Sequence, residues 1–231
     1  MNKIRNGAFT SSQIYQLMTL DRKGTGWGAP ALRYLKQKQW EKKLHRSLDA
    51  DMRSKPTSWG ILLESRAYQL IPSFETRIQS TETLLHPDIK GWVGTPDYTE
   101  PDLVGDIKCP WTLLSFCQLV EALNLGLEGV KDQFPMYYWQ LVSNSILTGK
   151  KFAELTVYCP FQEELEEIRE LARRQDEDQE RYIFINFALD DDLPYLVKEG
   201  EYKNLNQIKF EVPEADKVLL TETVKKALLL L

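Results

Sequence analysis

The stretch "GWVGTPDYTEPDLVGDIKCPW", residues 91–111, constrains the fold more than any other part of the chain. "DLVGDIKCP" alternates as a strand does, so Asp106 and Lys108 share one face while Leu103, Ile107 and Cys109 share the other. Asp97 follows a Thr-Pro turn signal at the end of the preceding strand, and a hairpin through "TEPD" brings it beside Asp106. Two carboxylates meeting at a sheet end make a hard oxygen site suited to Mg2+ or Mn2+. A lysine two residues along can face a substrate phosphate or the attacking water. Asp after Pro is also a common turn residue, and Asp-x-Lys on a solvent-facing strand is also a plain charge pair. Spacing alone leaves both readings open.

The elements around that strand predict an α/β fold. "TSSQIYQLM" reads as a short helix opened by a Ser or Thr cap. "APALRYLKQKQWEKKLHRSL" carries Leu32, Leu35, Trp40 and Leu44 near helical spacing behind Pro30, and "SWGILLESRAYQLI" repeats the pattern before Pro72. Three β candidates follow, around "TRIQSTETLL", "KGWVGTPDY" and "DLVGDIKCP". The helices "WTLLSFCQLVEALN" and "PMYYWQLVSNSILTG" come next, then the strand "FAELTVYCP" and an acidic helix over 162–179. "RYIFINF" reads as a further strand, and a mixed C-terminal region ends in a helix. The expected architecture is a central mixed β-sheet flanked by helices, in a single domain spanning 1–231.

Composition narrows the class. A chain of 231 residues is long enough for a sizeable core. A net charge of −5 argues against diffuse attraction to nucleic acid but leaves room for a local basic groove. Cys109, Cys117 and Cys159 have no CxxC spacing, which disfavours a structural zinc, a four-cysteine iron–sulfur cluster and a disulfide framework. "MNKIRNGAFTSSQ" has no apolar signal-peptide region and "ALLLL" is too short to span a bilayer, so the chain is expected in the cytoplasm, with no membrane partner.

Two helices offer further polar groups. Glu64 has Gly60 and Ala67 as neighbours at i−4 and i+3, so its face could lie close against a sheet and bring a carboxylate to the same site. Gln140 shares a face with Tyr137 and Asn144. Either could equally be solvated.

Together these segments resemble the PD-(D/E)xK nuclease superfamily, and within it the lambda-type phage exonucleases, or YqaJ-like viral recombinase nucleases. "KIRNGAFTSSQI" is similar to the family's Arg-x-Gly-x-x-Thr-x-Ser segment and "WGILLESRA" to its Trp-Gly-x-x-x-Glu-x-x-Ala helix. "GTPDY" and "DIKCPW" are similar to its Pro-Asp and Glu-x-Lys-Cys-Pro strands, and "YYWQLVSNSILTG" to its Tyr-x-x-Gln helix. Five motifs in the family's order cover residues 5–160; residues 161–231 match loosely and are expected to be an extension of the same domain.

The resemblance implies metal ligation by Asp97, Asp106 and the backbone carbonyl of Ile107, with Glu64 in or near the shell. It implies Lys108 as the catalytic lysine, Gln140 and Glu64 as catalytic helpers, and one or two Mg2+ or Mn2+ ions. Relatives usually carry Glu where this chain has Asp106, and the shorter side chain is expected to shift the metal and reduce activity. Few residues precede Arg5, so the family's preceding segment is expected to be absent. The implied activity is a metal-dependent 5′-to-3′ exonuclease on linear double-stranded DNA in phage-type recombination, within a bacterial host. The implied partners are DNA ends, an annealing recombinase and further copies of the chain in a trimeric ring. A CRISPR-adaptation or repair nuclease of the same superfamily and a non-catalytic DNA-binding recombination module remain alternatives. Arg5 and Ser12, at the start of the first helix, are implied in holding a 5′-phosphate, for which a helix N-terminus is suited. Arg33, Lys36 and Lys43 form the expected DNA-facing stripe, part of a basic run interrupted by Glu41 alone. The acidic helix after Phe161 is expected to face away from DNA.

Overall fold

The structure, a computed structural model, describes residues 5–48, 54–72, 76–80, 82–175 and 178–231. In chain order it forms β1 (Phe9–Thr10), a 3-10 helix over Ser11–Met18, α1 (Ala29–Leu44) and α2 (Lys55–Leu70). Then come β2 (Ile78–Gln79), β3 (Leu84–Leu85), β4 (Trp92–Gly94), β5 (Tyr98–Thr99) and β6 (Leu103–Lys108). The crossover runs through α3 (Leu113–Asn124), α4 (Leu127–Gln133) and α5 (Pro135–Thr148) to β7 (Phe152–Tyr158). The chain finishes with α6 (Leu165–Arg173), α7 (Gln179–Phe187), β8 (Leu205–Glu211) and α8 (Glu214–Leu228). No described helix is long and apolar enough to cross a membrane.

The expected mixed sheet is present, with strand order β2-β5-β6-β7-β8, beside a smaller sheet of order β1-β4-β3. β5 and β6 form the antiparallel hairpin, with Tyr98 opposite Gly105 and the Glu100 amide donating to the Leu103 carbonyl at 2.8 Å. β6 and β7 run parallel in an unbroken register from Leu103↔Phe152 to Lys108↔Val157, which requires the helical crossover between them. β6 is therefore an interior strand, covered on both faces. Leu103 and Ile107 pack with Trp59 and Leu63 of α2 and with Ile168 of α6, while Val104 packs with Tyr138 and Leu141 of α5.

Local chemistry sets the helix ends. Ser54 caps α2 by accepting from the Thr57 amide, Thr112 caps α3 by accepting from Ser115, and α5 starts at Pro135 and stops at Gly149, whose φ of +67° suits glycine. Thr10 precedes the 3-10 helix without a side-chain cap, so the expected Ser or Thr cap there is not made. Three other expectations need correction. "RYIFINF" is the body of helix α7, because Tyr182 and Ile185, three residues apart, both bury against the second core, and that packing outweighs a β-branched, aromatic composition. The acidic helix stops at Arg173, and residues 176–177 of its expected span lie outside the described residues. α1 is where expected, but rotated: Leu32, Trp40 and Leu44 are exposed, whereas Tyr34, Leu35, Lys38 and Glu41 are buried.

Candidate active site

The hairpin delivers Asp97. Its amide donates to the Gly105 carbonyl at 3.1 Å, and its Oδ2 accepts from the Ile107 amide at 2.5 Å, so the carboxylate lies across the strand beside Asp106. Close packing explains the glycine at 105: a Cβ there would fall 1.9 Å from Cζ of Tyr98. Tyr98 is in turn held by Glu154 and by Thr156 at 3.2 Å, fixing the ring that sets the hairpin.

Asp106 has 0% exposure, which decides against the solvent-facing charge pair that spacing left open: α5 lies over it. Gln140 Nε2 donates to Asp106 Oδ1 at 2.6 Å. Lys108 Nζ donates to Gln140 Oε1 at 3.2 Å and stands 2.5 Å from Asp106 Oδ2. The last contact is an ion pair without good hydrogen-bond direction, which leaves a buried lone pair of Asp106 undirected. The Tyr137 ring lies with its centroid 5.1 Å from Lys108 Nζ. An Asp-x-Lys charge pair therefore exists, but inside the protein, where a pair needs the further donors it has here.

Glu64 reaches the same place from α2. A cleft of about 230 Å³ opens at the end of β6, lined by Thr57, Gly60, Glu64, Ile107, Lys108 and Tyr137, among others. Ala67 packs in the core as expected, but Gly60 does not: a Cβ on it would meet nothing within 4 Å, so it faces the cleft. Burial, the charge of Asp106 and that of Glu64 push the Asp97 carboxyl well above the usual carboxylate range, with Lys108 and the Ile107 amide pulling the other way. Burial and Asp106 raise Glu64 likewise, opposed by Lys108. Burial works against the charge of Lys108, but Asp106 and Asp97 outweigh it and hold the ammonium above its ordinary value.

These three carboxyl groups repel one another with one lysine between them, an excess of negative charge that a divalent cation would offset. Oxygen donors of this kind fit Mg2+ or Mn2+. Among the described residues no three His, Cys, Asp or Glu side chains are already gathered as a ligand set, so what suits a cation is Asp97 beside Asp106, with Glu64 at the edge.

The predicted phosphate and DNA contacts are dispersed. Arg5 reaches the link between β4 and Asp97, with Nη2 2.8 Å from Thr95 Oγ1 and 3.3 Å from Thr83 Oγ1. Ser12 is exposed, 3.5 Å from the Thr10 hydroxyl. Arg33, Lys36 and Lys43 are exposed on α1, and none of them lines the cleft. The stripe is broken at Lys38, which has 0% exposure in an ion pair with Glu41. The acidic helix α6 docks on α2 through Arg66, which pairs with Glu164 and Glu167 at 2.7 and 2.6 Å. Tyr137, which shares its helix face with Gln140, joins the site as well, lining the cleft beside Lys108.

No protein-family model and no curated protein sequence matches the chain. Solved structures do. An alkaline exonuclease (LHK-Exo) from Laribacter hongkongensis superposes with a TM-score of 0.63 at 18% identity, over 97% of this chain and 88% of that one. The chain has the fold of the phage-type exonucleases. The complex of LHK-Exo with dAMP gives 0.64 at 16% identity, over 98% and 89%. A phage-related exonuclease from Haemophilus somnus 129PT gives 0.61 at 14% identity, over 96% and 92%. The fold expected from the motifs is thus borne out, and the exonuclease fold includes the C-terminal third that carried no clear motif.

Proposed function

We propose that this exonuclease-fold chain hydrolyses phosphodiester bonds of DNA with a divalent metal ion, digesting one strand of linear duplex from its 5′ end. The observation that carries the reading is the gathering of Asp97 and Asp106 against Lys108 and Glu64, the last two lining one cleft, on a fold shared with solved exonucleases, one of which holds dAMP.

Asp97, Asp106 and the Ile107 carbonyl would hold Mg2+ or Mn2+, with Glu64 at the rim. When bound, the ion supplies Lewis acidity toward a phosphoryl oxygen and makes water more acidic. Lys108 brings a charged donor to the negative charge that builds on the phosphoryl oxygens, an interaction stronger in the transition state than before it. Gln140 bridges Lys108 and Asp106, so it fixes the distance between the charged donor and a ligand oxygen. Arg5 is the candidate receptor for the terminal 5′-phosphate, through charge-assisted hydrogen bonds. Assembly into a ring and pairing with an annealing recombinase belong to the same proposal.

The test is cleavage of linear, nicked and closed circular duplex with and without Mg2+, alongside calorimetry of Mn2+ binding. Linear duplex should be digested only with metal, Lys108→Ala should stop cleavage while keeping fold and metal binding, and Asp106→Asn should weaken metal binding strongly. Ready cleavage of closed circles would overturn the exonuclease reading, and equal metal binding by Asp106→Asn would remove Asp106 from the ligand set.

A further inference from the structure

Lys108 is held from three sides, and the three contacts differ in kind. Asp106 offers charge at 2.5 Å, Gln140 an amide oxygen at 3.2 Å, and Tyr137 the face of its ring at 5.1 Å. Asp106 cannot remain the full counter-charge of Lys108 and also give its oxygens to a cation, and Gln140 is tied to Asp106 as well. The ring is the one contact of the three with no competing duty. Its orientation is fixed: Phe134 stacks on it, with centroids 5.8 Å apart and planes 3° from parallel, and the Tyr137 amide donates to the Phe134 carbonyl at 3.0 Å. Among the described residues no protein group hydrogen-bonds the Tyr137 hydroxyl, so what the ring gives Lys108 is its π face.

We propose that Tyr137 is a positioning residue for Lys108: its ring face keeps the ammonium aimed into the cleft when Asp106 and Gln140 are drawn to other partners. Tyr137 lines the cleft with Lys108 and sits one turn before Gln140 on α5, so a single helix turn carries both restraints. A cation over an aromatic face in a desolvated setting is held strongly enough that its loss costs about tenfold in rate. The proposal rests on the nuclease reading for its kinetic consequence and on geometry alone for its structural one.

Two readouts separate these. The first is steady-state digestion of linear duplex in Mg2+ by wild type, Tyr137→Leu and Tyr137→Phe. Tyr137→Leu should lower kcat about tenfold with little change in KM, and Tyr137→Phe, which keeps the ring, should recover most of that loss. The second needs no catalysis: brief acetylation of the folded full chain by acetic anhydride, followed by digestion and mass spectrometry of the peptide that contains Lys108. Lys108 should be acetylated slowly in wild type and Tyr137→Phe, and several-fold faster in Tyr137→Leu. Should Tyr137→Leu fail to fold, 3,4,5-trifluorophenylalanine at position 137 keeps the shape but withdraws negative potential from the ring face. It should reproduce the loss of kcat and the faster acetylation. Equal kcat and equal Lys108 protection in the ring-depleted variants would overturn the proposal. So would Tyr137→Phe falling as far as Tyr137→Leu, or a rise in KM at constant kcat, which would make Tyr137 a DNA contact. A wild-type chain that cuts no DNA would sink the nuclease reading instead, while the acetylation rates would still decide the ring contact.

Discussion

Removing Lys38 should be among the costliest single changes on α1, although the residue lies in a run that reads as solvated. Lys38 and Glu41 both have 0% side-chain exposure, with Nζ 3.1 and 3.0 Å from the two carboxylate oxygens. Glu41 also accepts from the Gly7 amide at 3.1 Å, the Leu48 amide at 3.1 Å and Gln37 Nε2 at 3.2 Å. Lys38→Met fills most of the same volume and deletes the counter-charge of Glu41, along with the ammonium's contact to the Tyr34 ring. Breaking a buried pair on one side costs roughly 3–5 kcal/mol because the other charge stays behind. The three donors left on Glu41 place Lys38→Met at the low end, about 3 kcal/mol. Glu41→Gln should cost more, toward ~5 kcal/mol, because an amide nitrogen then faces a backbone N–H and the buried ammonium loses the charge of Glu41. Replacing both by apolar residues still strands the Gly7 and Leu48 amides, at ~1–3 kcal/mol each, so the double variant does not return to wild type. Urea unfolding followed by circular dichroism measures this. With m near ~3 kcal/mol per molar, expected at the upper end for a chain of this size, Lys38→Met lowers the midpoint by about 1 M at unchanged m. A midpoint within about 0.3 M of wild type would show that the pair carries little net energy, and would refute the argument.

Three further outcomes are expected. Gly105→Ala drives a Cβ into the Tyr98 ring, so it should destabilise by roughly 1–3 kcal/mol or more and weaken metal binding with the hairpin, whereas wild-type calorimetry and melting for this variant would refute the close packing. His86 should titrate below 6.5 by NMR, because burial disfavours its charge and Lys225 adds to this against the pull of Asp88. Its Nδ1 accepts from the amides of Asp88 and Ile89, so the stability it contributes is present above about pH 6.5 and lost as pH falls through the lowered value; a midpoint above 6.5 contradicts this. If Arg5 receives the terminal phosphate, 5′-phosphorylated duplex should be digested about tenfold faster than 5′-hydroxyl duplex, from a contact worth roughly 1.5–3 kcal/mol, and Arg5→Ala should erase most of that preference. Equal wild-type rates on both ends would defeat it.

What could be read from the chain was local. The "TEPD" hairpin and the alternation of "DLVGDIKCP" involve neighbours within a few residues, and both hold in the structure, whereas Thr95 and Pro96 form no turn but link β4 of the smaller sheet to β5 of the larger one. What misled was burial by distant elements. α5 covers the polar face of β6, so alternation that signals water on one side marks here a strand enclosed on both. Lys38 and Glu41 look like any i,i+3 pair, and nothing in the run says that Gly7 and Leu48 fold onto them. Trp40 and Leu44 fit the helical period and still face outward, because α1 turns its charged pair inward. In "RYIFINF" local composition favoured a strand, and the helix follows from packing of Tyr182 and Ile185 that no short window contains.

The two-sided enclosure of β6 also decides where the molecule can be cut. Every residue of the candidate site lies before position 160, yet Ile168, Ala172 and Tyr182 complete one core and Phe210, Leu220 and Val224 the other. A fragment ending at Pro160 would retain every residue of the candidate site and lose β8, the hydrogen-bonded neighbour of β7, together with lining from both sides of the strand that carries Asp106 and Lys108. The borders of the candidate site and of the foldable unit do not coincide. A fragment trimmed to its recognisable motifs is expected to aggregate before it can be assayed.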